Sequence, residues 1–271
     1  MCQDQMQRQT QRQIDTHQQL MQEIEMHHEF KGFQLQQSSS HSKMFLEQDG
    51  ANCGAFASAM AVMSLTDSTY TQGKGIAHEL QQHAINNSLS SIGEFFDANA
   101  LSDTLNAYFT DNKLNLLAKV VDFDSPKRLD MILSNAHAKG IKVLVSFYSD
   151  DNAGPLDRSG KHVEGKAQAS YMKNAHWALL DTYYQGNGQP KVTFSEGNNL
   201  SHRQYSMTEL YDSNQALSDE FDWKFFMMDP ANKDSQRAVQ NRQTNRPDVV
   251  SDVFVEKVNL RGKIIFIGNK S

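Results

Sequence analysis

The sequence predicts an α+β protein in which a layer of helices packs on an antiparallel sheet. Patterns with the helical period fill the compact region before Gly140, and patterns typical of strands dominate after it. A Gly186-Asn187-Gly188 turn between two of the strand patterns indicates a hairpin, which joins antiparallel neighbours. Helices that come first, with the strands after them, argue against a parallel sheet built from alternating βαβ units.

The helical patterns begin with residues 53–65, a run of small and apolar side chains that suits a buried helix. Further helical patterns cover 75–87, 92–109 and 125–139. Gly140 closes the last of these at the position where helices commonly end. One more helix is predicted near 206–217, among the strands.

The strand patterns begin with residues 141–147, which are rich in β-branched side chains. They continue at 177–184 and 191–194, on either side of the glycine-rich turn. The remaining strand patterns are 222–228 and a closing pair, 252–258 and 262–268.

Two parts of different composition divide the chain of 271 residues. Residues 1–40 hold twelve Gln within the first 37 positions, with apolar side chains near helical spacing, and end in a serine linker. This composition predicts a marginal, Gln-rich helical arm. Residues 44–268 form the compact domain, because a hydrophobic fraction of 38% is sufficient for a core.

Charge and hydropathy exclude several function classes. A net charge of -6 and a pI of about 5.9 leave no basic field for polyphosphate, which disfavours nucleic acid as the principal partner. No run of about 18 apolar residues exists, so we expect no membrane insertion, and the first residues lack the features of a secretory signal peptide. We expect a cytoplasmic protein, or a secreted effector that is translocated into a host cytosol without a classical signal peptide.

The two cysteines are too few for a disulfide framework and wrongly spaced for structural zinc, which favours a reducing compartment. No string of residues has the spacing of metal ligands, so we expect neither a metal nor another cofactor. Cys2 lies in the polar arm, whereas Cys53 lies at the start of the apolar run that predicts the first buried helix.

Cys53 is therefore the candidate nucleophile. A thiol at a helix N-terminus faces unpaired backbone N–H groups and the positive end of the helix dipole, which favour the thiolate. Gln48, five residues upstream, can place its amide beside the Cys53 backbone N–H and meet a developing oxyanion. Gly50 and Gly54 allow a tight turn and leave the approach to the sulfur open. An N-capped hydrophobic helix with a buried cysteine also fits these residues.

His176 is the candidate general base. It opens an apolar strand pattern, so its ring can project from the sheet towards a facing helix N-terminus. A third residue should orient the imidazole from the next strand and share a hydrogen bond with its distal nitrogen. Glu196 is the first candidate for this role and Asn198 the second, because carboxylates and amides both serve it.

The order of these motifs resembles a known family. Gln48, Cys53-Gly54 at a helix start, the strand 143–148 that runs into 150–155, and His176-Trp177 with a following strand resemble papain-fold cysteine peptidases of the bacteriocin leader-processing type. They are particularly similar to the actin maturation protease group. Segments 205–217 and 260–266 also resemble that group, so the resemblance covers about residues 44–268.

The resemblance implies a papain-like fold. It also implies that Gln48 supplies the oxyanion hole, Cys53 the nucleophile and His176 the general base and acid. The family usually presents Asp or Asn after the strand that follows its His, whereas here Glu196 and Asn198 compete. The orienting role therefore stays open between these two residues.

We expect a cysteine peptidase that hydrolyses peptide or isopeptide bonds of a protein or peptide substrate, which could be a host cytosolic protein. The same Cys53–His176 pair could instead serve a glutamine deamidase or a transglutaminase, because both reactions share the acyl-thioenzyme. A third hypothesis is a non-catalytic papain-fold module that binds a protein partner through the Gln-rich arm.

Overall fold

The computed structural model describes residues 11, 28–35, 46–48, 52–87, 89–90, 93, 95–148, 175–186, 189–195, 205–217, 221–227 and 252–271. The chain divides into two compact units, Met1–Phe33 with Ser271, and Gln34–Lys270. In the first unit, Gln11 and residues 28–29 are helical. The rest of the predicted Gln-rich helix and the serine linker lie outside the described residues.

The second unit contains the predicted helices. They are α1 (Cys53–Thr66), α2 (Tyr70–Asn86), α3 (Ala98–Asp111), α4 (Pro126–Ala138) and α5 (Met207–Gln215). Helices α2 to α5 each begin after a residue whose side-chain oxygen accepts a backbone N–H bond, namely Thr69, Asp97, Ser125 and Ser206. These N-caps explain why α2 begins before the predicted residue 75 and α3 after the predicted residue 92.

The strands mostly match the predicted ones. They are β1 (Leu116–Asp122), β2 (Lys142–Tyr148), β3 (Ala175–Gly186), β4 (Gln189–Ser195), β5 (Tyr205–Ser206), β6 (Phe221–Met227), β7 (Asp252–Val258) and β8 (Lys263–Asn269). Strand β1 was not predicted, because Lys119 interrupts its apolar run. Its partner is β8, far along the chain, where Leu116 pairs with Asn269.

Among the described residues, six strands form one sheet in the order β1-β8-β2-β3-β4-β5, and β6 pairs with β7 in a second sheet. All pairings between these described strands are antiparallel, which confirms the predicted α+β class. The expectation of a closing pair is wrong, because β7 pairs with β6 while β8 lies between β1 and β2.

The chain between β7 and β8 explains this outcome. The Asn259 N–H donates to the Phe96 carbonyl at 2.7 Å, and the Ala98 N–H donates to the Asn259 carbonyl at 3.2 Å. These bonds attach the chain to the beginning of α3 before β8 starts. Strand β8 therefore joins the main sheet and does not fold back on β7.

The main sheet buries side chains on both faces. One set shares a hydrophobic cluster with α1, α2 and α3, and includes Leu144, Trp177, Leu179, Ile265 and Ile267. On the other face, α4 packs against β2 and β3, and α5 packs against β2. The side chains of this face are buried outside that cluster and are Val143, Val145, Phe147, Ala178, Leu180, Ile264 and Phe266. The predicted helical layer is thus confirmed, and α4 and α5 form a further layer.

Helix α1 is the centre of the helical layer. All of its residues from Cys53 to Ser64 are buried, because α1 packs against both α2 and β3. Gly73 of α2 permits this close approach, since a Cβ atom at that position would overlap the sulfur of Met63. Gly73 of α2 and the small side chains of α1 together allow these two helices to pack at short distance.

Candidate active site

Cys53 is the first residue of α1 and is only 4% exposed. Asn52 occupies the N-cap position, but its side chain does not cap the helix and instead donates a long hydrogen bond of 3.5 Å to Gln81 Oε1. The first turn of α1 carries no acidic residue. The helix dipole at the thiol is therefore opposed neither by a side-chain cap nor by a carboxylate in the first turn, and this field helps the Cys53 sulfur to give up its proton during the reaction.

A short segment around Gly93 and Phe95 holds the beginning of α1. The Ala55 N–H donates to the Gly93 carbonyl at 3.0 Å. The buried Ser90 hydroxyl accepts hydrogen bonds from the N–H groups of Gly93 and Phe95, each at 3.2 Å. Both residues are in the left-handed region, with φ of 84° at Gly93 and 60° at Phe95. We call Gly93 and Phe95 with their hydrogen bonds the 93–95 segment.

His176 is the second residue of β3 and is 3% exposed. Its cross-strand neighbour is Phe147, and the two ring centres are 5.6 Å apart in an edge-on arrangement. Burial lowers the pKa of the imidazole from its ordinary 6.5 to about 4. His176 is therefore neutral near neutral pH and can accept a proton, but its imidazolium form costs about 3 kcal/mol more than in water.

The beginnings of α1 and β3 lie at the same end of the fold. The Trp177 Nε1–H donates to the Phe95 carbonyl at 2.7 Å, so the segment that holds the beginning of α1 also holds the beginning of β3. Trp177 and Cys53 belong to one hydrophobic cluster. Because successive side chains of a strand point to opposite faces, His176 lies on the face of Phe147, opposite to Trp177.

Of the other predicted site residues, Gln48 is described by the structure. Gln48 is partly buried, and Leu46, two residues before it, is fully buried in the cluster that contains Cys53. Glu196 and Asn198 lie outside the described residues. Strand β4 ends at Ser195, which pairs with Leu179.

Ser90 and the 93–95 segment were not among the predicted site residues. Residues 92–109 carry a helical pattern, whereas α3 begins only at Ala98. A signal was present, because Gly93 lies within the predicted helix and a glycine there lowers the expectation of a helix. Nothing in the sequence indicates that the Ser90 hydroxyl accepts two backbone bonds.

Within the described part of the chain, no group of three or more His, Cys, Asp or Glu is arranged to hold a metal ion. None of the helices described is long and apolar enough to cross a membrane.

A cysteine that opens a buried helix, packed on an antiparallel sheet with a histidine near the start of a central strand, defines a papain-like fold. Residues 43–183 match the family model described as actin maturation protease-like, C-terminal domain. The match covers just over half of the chain, and the chain belongs to this family. The predicted resemblance to the actin maturation protease group is thus confirmed.

The matched region includes Gln48, Cys53 and His176 but ends before Glu196 and Asn198. The relation to bacteriocin leader-processing peptidases stays a prediction. No curated protein matches the chain.

Proposed function

We propose that this protein is a cysteine peptidase that hydrolyses peptide bonds of a protein substrate, with Cys53 as nucleophile and His176 as general base and acid. The observation that carries the proposal is the position of Cys53 at the beginning of α1, where no side chain caps the helix. Membership in a family named for a maturation protease supports the same class of reaction. We extend the proposal to a shared mechanism with leader-processing peptidases.

In the acylation step, the Cys53 sulfur attacks the carbonyl carbon of the substrate while the thiol proton passes to His176. The carbonyl electron pair moves to oxygen, where the Gln48 amide and the Cys53 backbone N–H stabilise the oxyanion. The oxyanion then collapses and the C–N bond breaks. The leaving amine takes the proton from His176, and a thioester remains on Cys53.

In the deacylation step, His176 takes a proton from water, which attacks the thioester carbon. Cleavage of the C–S bond releases the carboxylic acid product, and the thiol of Cys53 regains its proton. A thioester formed on a Gln side chain would give deamidation with water or transglutamination with an amine. The experiment below distinguishes these reactions by their products.

Burial of His176 decides its resting state under this proposal. With a pKa near 4 the imidazole is neutral, so the resting site holds no stable imidazolium–thiolate pair. Because His176 lies on the face opposite to Trp177, one residue from the beginning of β3, the proposed reaction requires its ring to meet the thiol around the end of the strand.

We propose a reducing cytosol, either that of the producing cell or that of a host, as the place of action, because the thiol of Cys53 must stay reduced. The partner is a protein substrate. The family name makes actin the first protein to test.

The experiment is mass spectrometry of actin, and of a mixed cytosolic protein extract, after incubation with the wild type and with the Cys53→Ala variant. New termini that form with the wild type and not with Cys53→Ala support the peptidase. His176→Ala is the second variant and should lose the same products.

Two other outcomes contradict the proposal. A mass increase of about 1 Da at Gln, or a cross-linked amine, indicates a deamidase or a transglutaminase. Absence of any Cys53-dependent product indicates the non-catalytic binding module.

A further inference from the structure

We infer that Trp177 and Ser90 are positioning residues for the proposed reaction: through the 93–95 segment they set the beginning of β3, and with it His176, against the beginning of α1, and with it Cys53. This inference rests on the proposed function. It concerns residues that have no role in the chemistry itself.

The first turn of α1 is attached to the 93–95 segment by one hydrogen bond. The Gly93 carbonyl accepts the Ala55 N–H bond at 3.0 Å, in the first turn after Cys53. N–H groups of a first helical turn have no partner within their own helix. A single carbonyl from outside the helix therefore supplies this bond and fixes the position of the turn.

The beginning of β3 is attached to the same segment through the side chain of Trp177. The Trp177 Nε1–H reaches the Phe95 carbonyl at 2.7 Å, across 82 positions of sequence. Trp177 is among the largest fully buried side chains and directly follows His176. Movement of the indole therefore moves the backbone that carries the imidazole.

Gly93 and Phe95, which accept these two bonds, both have unusual backbone conformations. Phe95 has a φ of 60°, a conformation that costs energy for a bulky side chain, and it is fully buried. The Ser90 hydroxyl, itself buried, holds this conformation by accepting the N–H bonds of Gly93 and Phe95 at 3.2 Å each. A Cβ atom at Gly93 would lie 3.0 Å from Gln81 Cγ, which is a tight contact, and the φ of 84° itself disfavours a side chain there.

One strained segment thus bonds to both elements that carry the proposed catalytic pair. Because the thiol and the imidazole must meet across the end of β3, small displacements of either element change the reaction rate. A misplacement of about 1 Å can lower a rate about a hundredfold.

The test uses Trp177→Phe, which removes the indole N–H but keeps an aromatic ring in the core, and Ser90→Ala. Both variants should lower kcat about ten- to a hundredfold, with KM unchanged. Cys53 alkylation by iodoacetamide is measured against pH in the same proteins. The profile of Trp177→Phe should move from that of the wild type towards that of His176→Ala.

A double variant separates positioning from general destabilisation. If Ser90 and Trp177 act through one segment, Ser90→Ala with Trp177→Phe should lose no more activity than the more impaired single variant. The matched control is Asn106, which ties α3 to β1 through two bonds of 2.9 Å with Ala118. Asn106→Ala should lower the midpoint of urea unfolding while leaving kcat and the alkylation profile as in the wild type.

The inference is overturned if Trp177→Phe, folded by circular dichroism, keeps the wild-type kcat and alkylation profile. Additive losses in the double variant also overturn it, as does an equal loss of kcat in Asn106→Ala. A failure of the proposed function is a different result. In that case the wild type yields no Cys53-dependent cleavage, while the alkylation profiles still report the coupling of Trp177 to Cys53.

Discussion

The burial of His176 makes the stability of the protein depend on pH. In the folded protein the pKa of the imidazole is about 4, whereas in the unfolded chain it returns to the ordinary 6.5. Between these values the unfolded chain binds a proton that the folded protein does not. The free energy of unfolding should therefore be highest above the unfolded pKa and fall as the pH drops through this range.

The size of the effect follows from the two pKa values. Between about pH 7 and about pH 5, His176 should lower the free energy of unfolding by about 2 kcal/mol, and the total loss by about pH 4 approaches 3 kcal/mol. The perturbation is His176→Gln, which keeps a polar side chain but removes the titration. His137, whose pKa is also lowered by burial and then by Lys142, is present in both proteins, so its contribution cancels.

The assay is urea unfolding of the wild type and His176→Gln at the two pH values, followed by circular dichroism. The wild type should lose about 2 kcal/mol more than the variant on acidification. The matched control is Asn106→Ala, which removes no titratable group and should lose as much free energy of unfolding on acidification as the wild type. An equal loss in the wild type and His176→Gln would refute the reasoning, because it would show that His176 is protonated in the folded protein as readily as in the unfolded chain.

The remaining predictions concern the site. Gln48→Ala should lower kcat by about 10² to 10³ while Cys53 alkylation is preserved, and an equal loss of alkylation would show that Gln48 is structural. If Glu196 orients His176, Glu196→Ala should strongly lower kcat and Asn198→Ala should be nearly silent, and the reverse order of losses would assign the orienting role to Asn198. Treatment with EDTA should leave cleavage unchanged, and full loss of activity on chelation would contradict a thiol mechanism without metal.

Features that depend on a few neighbouring residues could be predicted from the sequence. The start of α4 is marked by Ser125 and Pro126 and its end by Gly140, which has a φ of 70°. The small, apolar run that begins at Cys53 predicted a buried helix, and α1 begins at that residue. Periodicity, caps and turns operate within about one or two helical turns, so the residues that decide them are adjacent in the chain.

The sequence by itself thus determined the α+β class, the place of Cys53 at a helix start and the strand that carries His176. Only the tertiary structure decided that β8 pairs with β1 and β2, that His176 shares a face with Phe147, and that burial keeps its imidazole neutral. These properties depend on residues that are far apart in the chain and on the solvent that packing removes. A local sequence pattern contains neither the partner of a strand nor the desolvation of a side chain, because both exist only once the chain is folded.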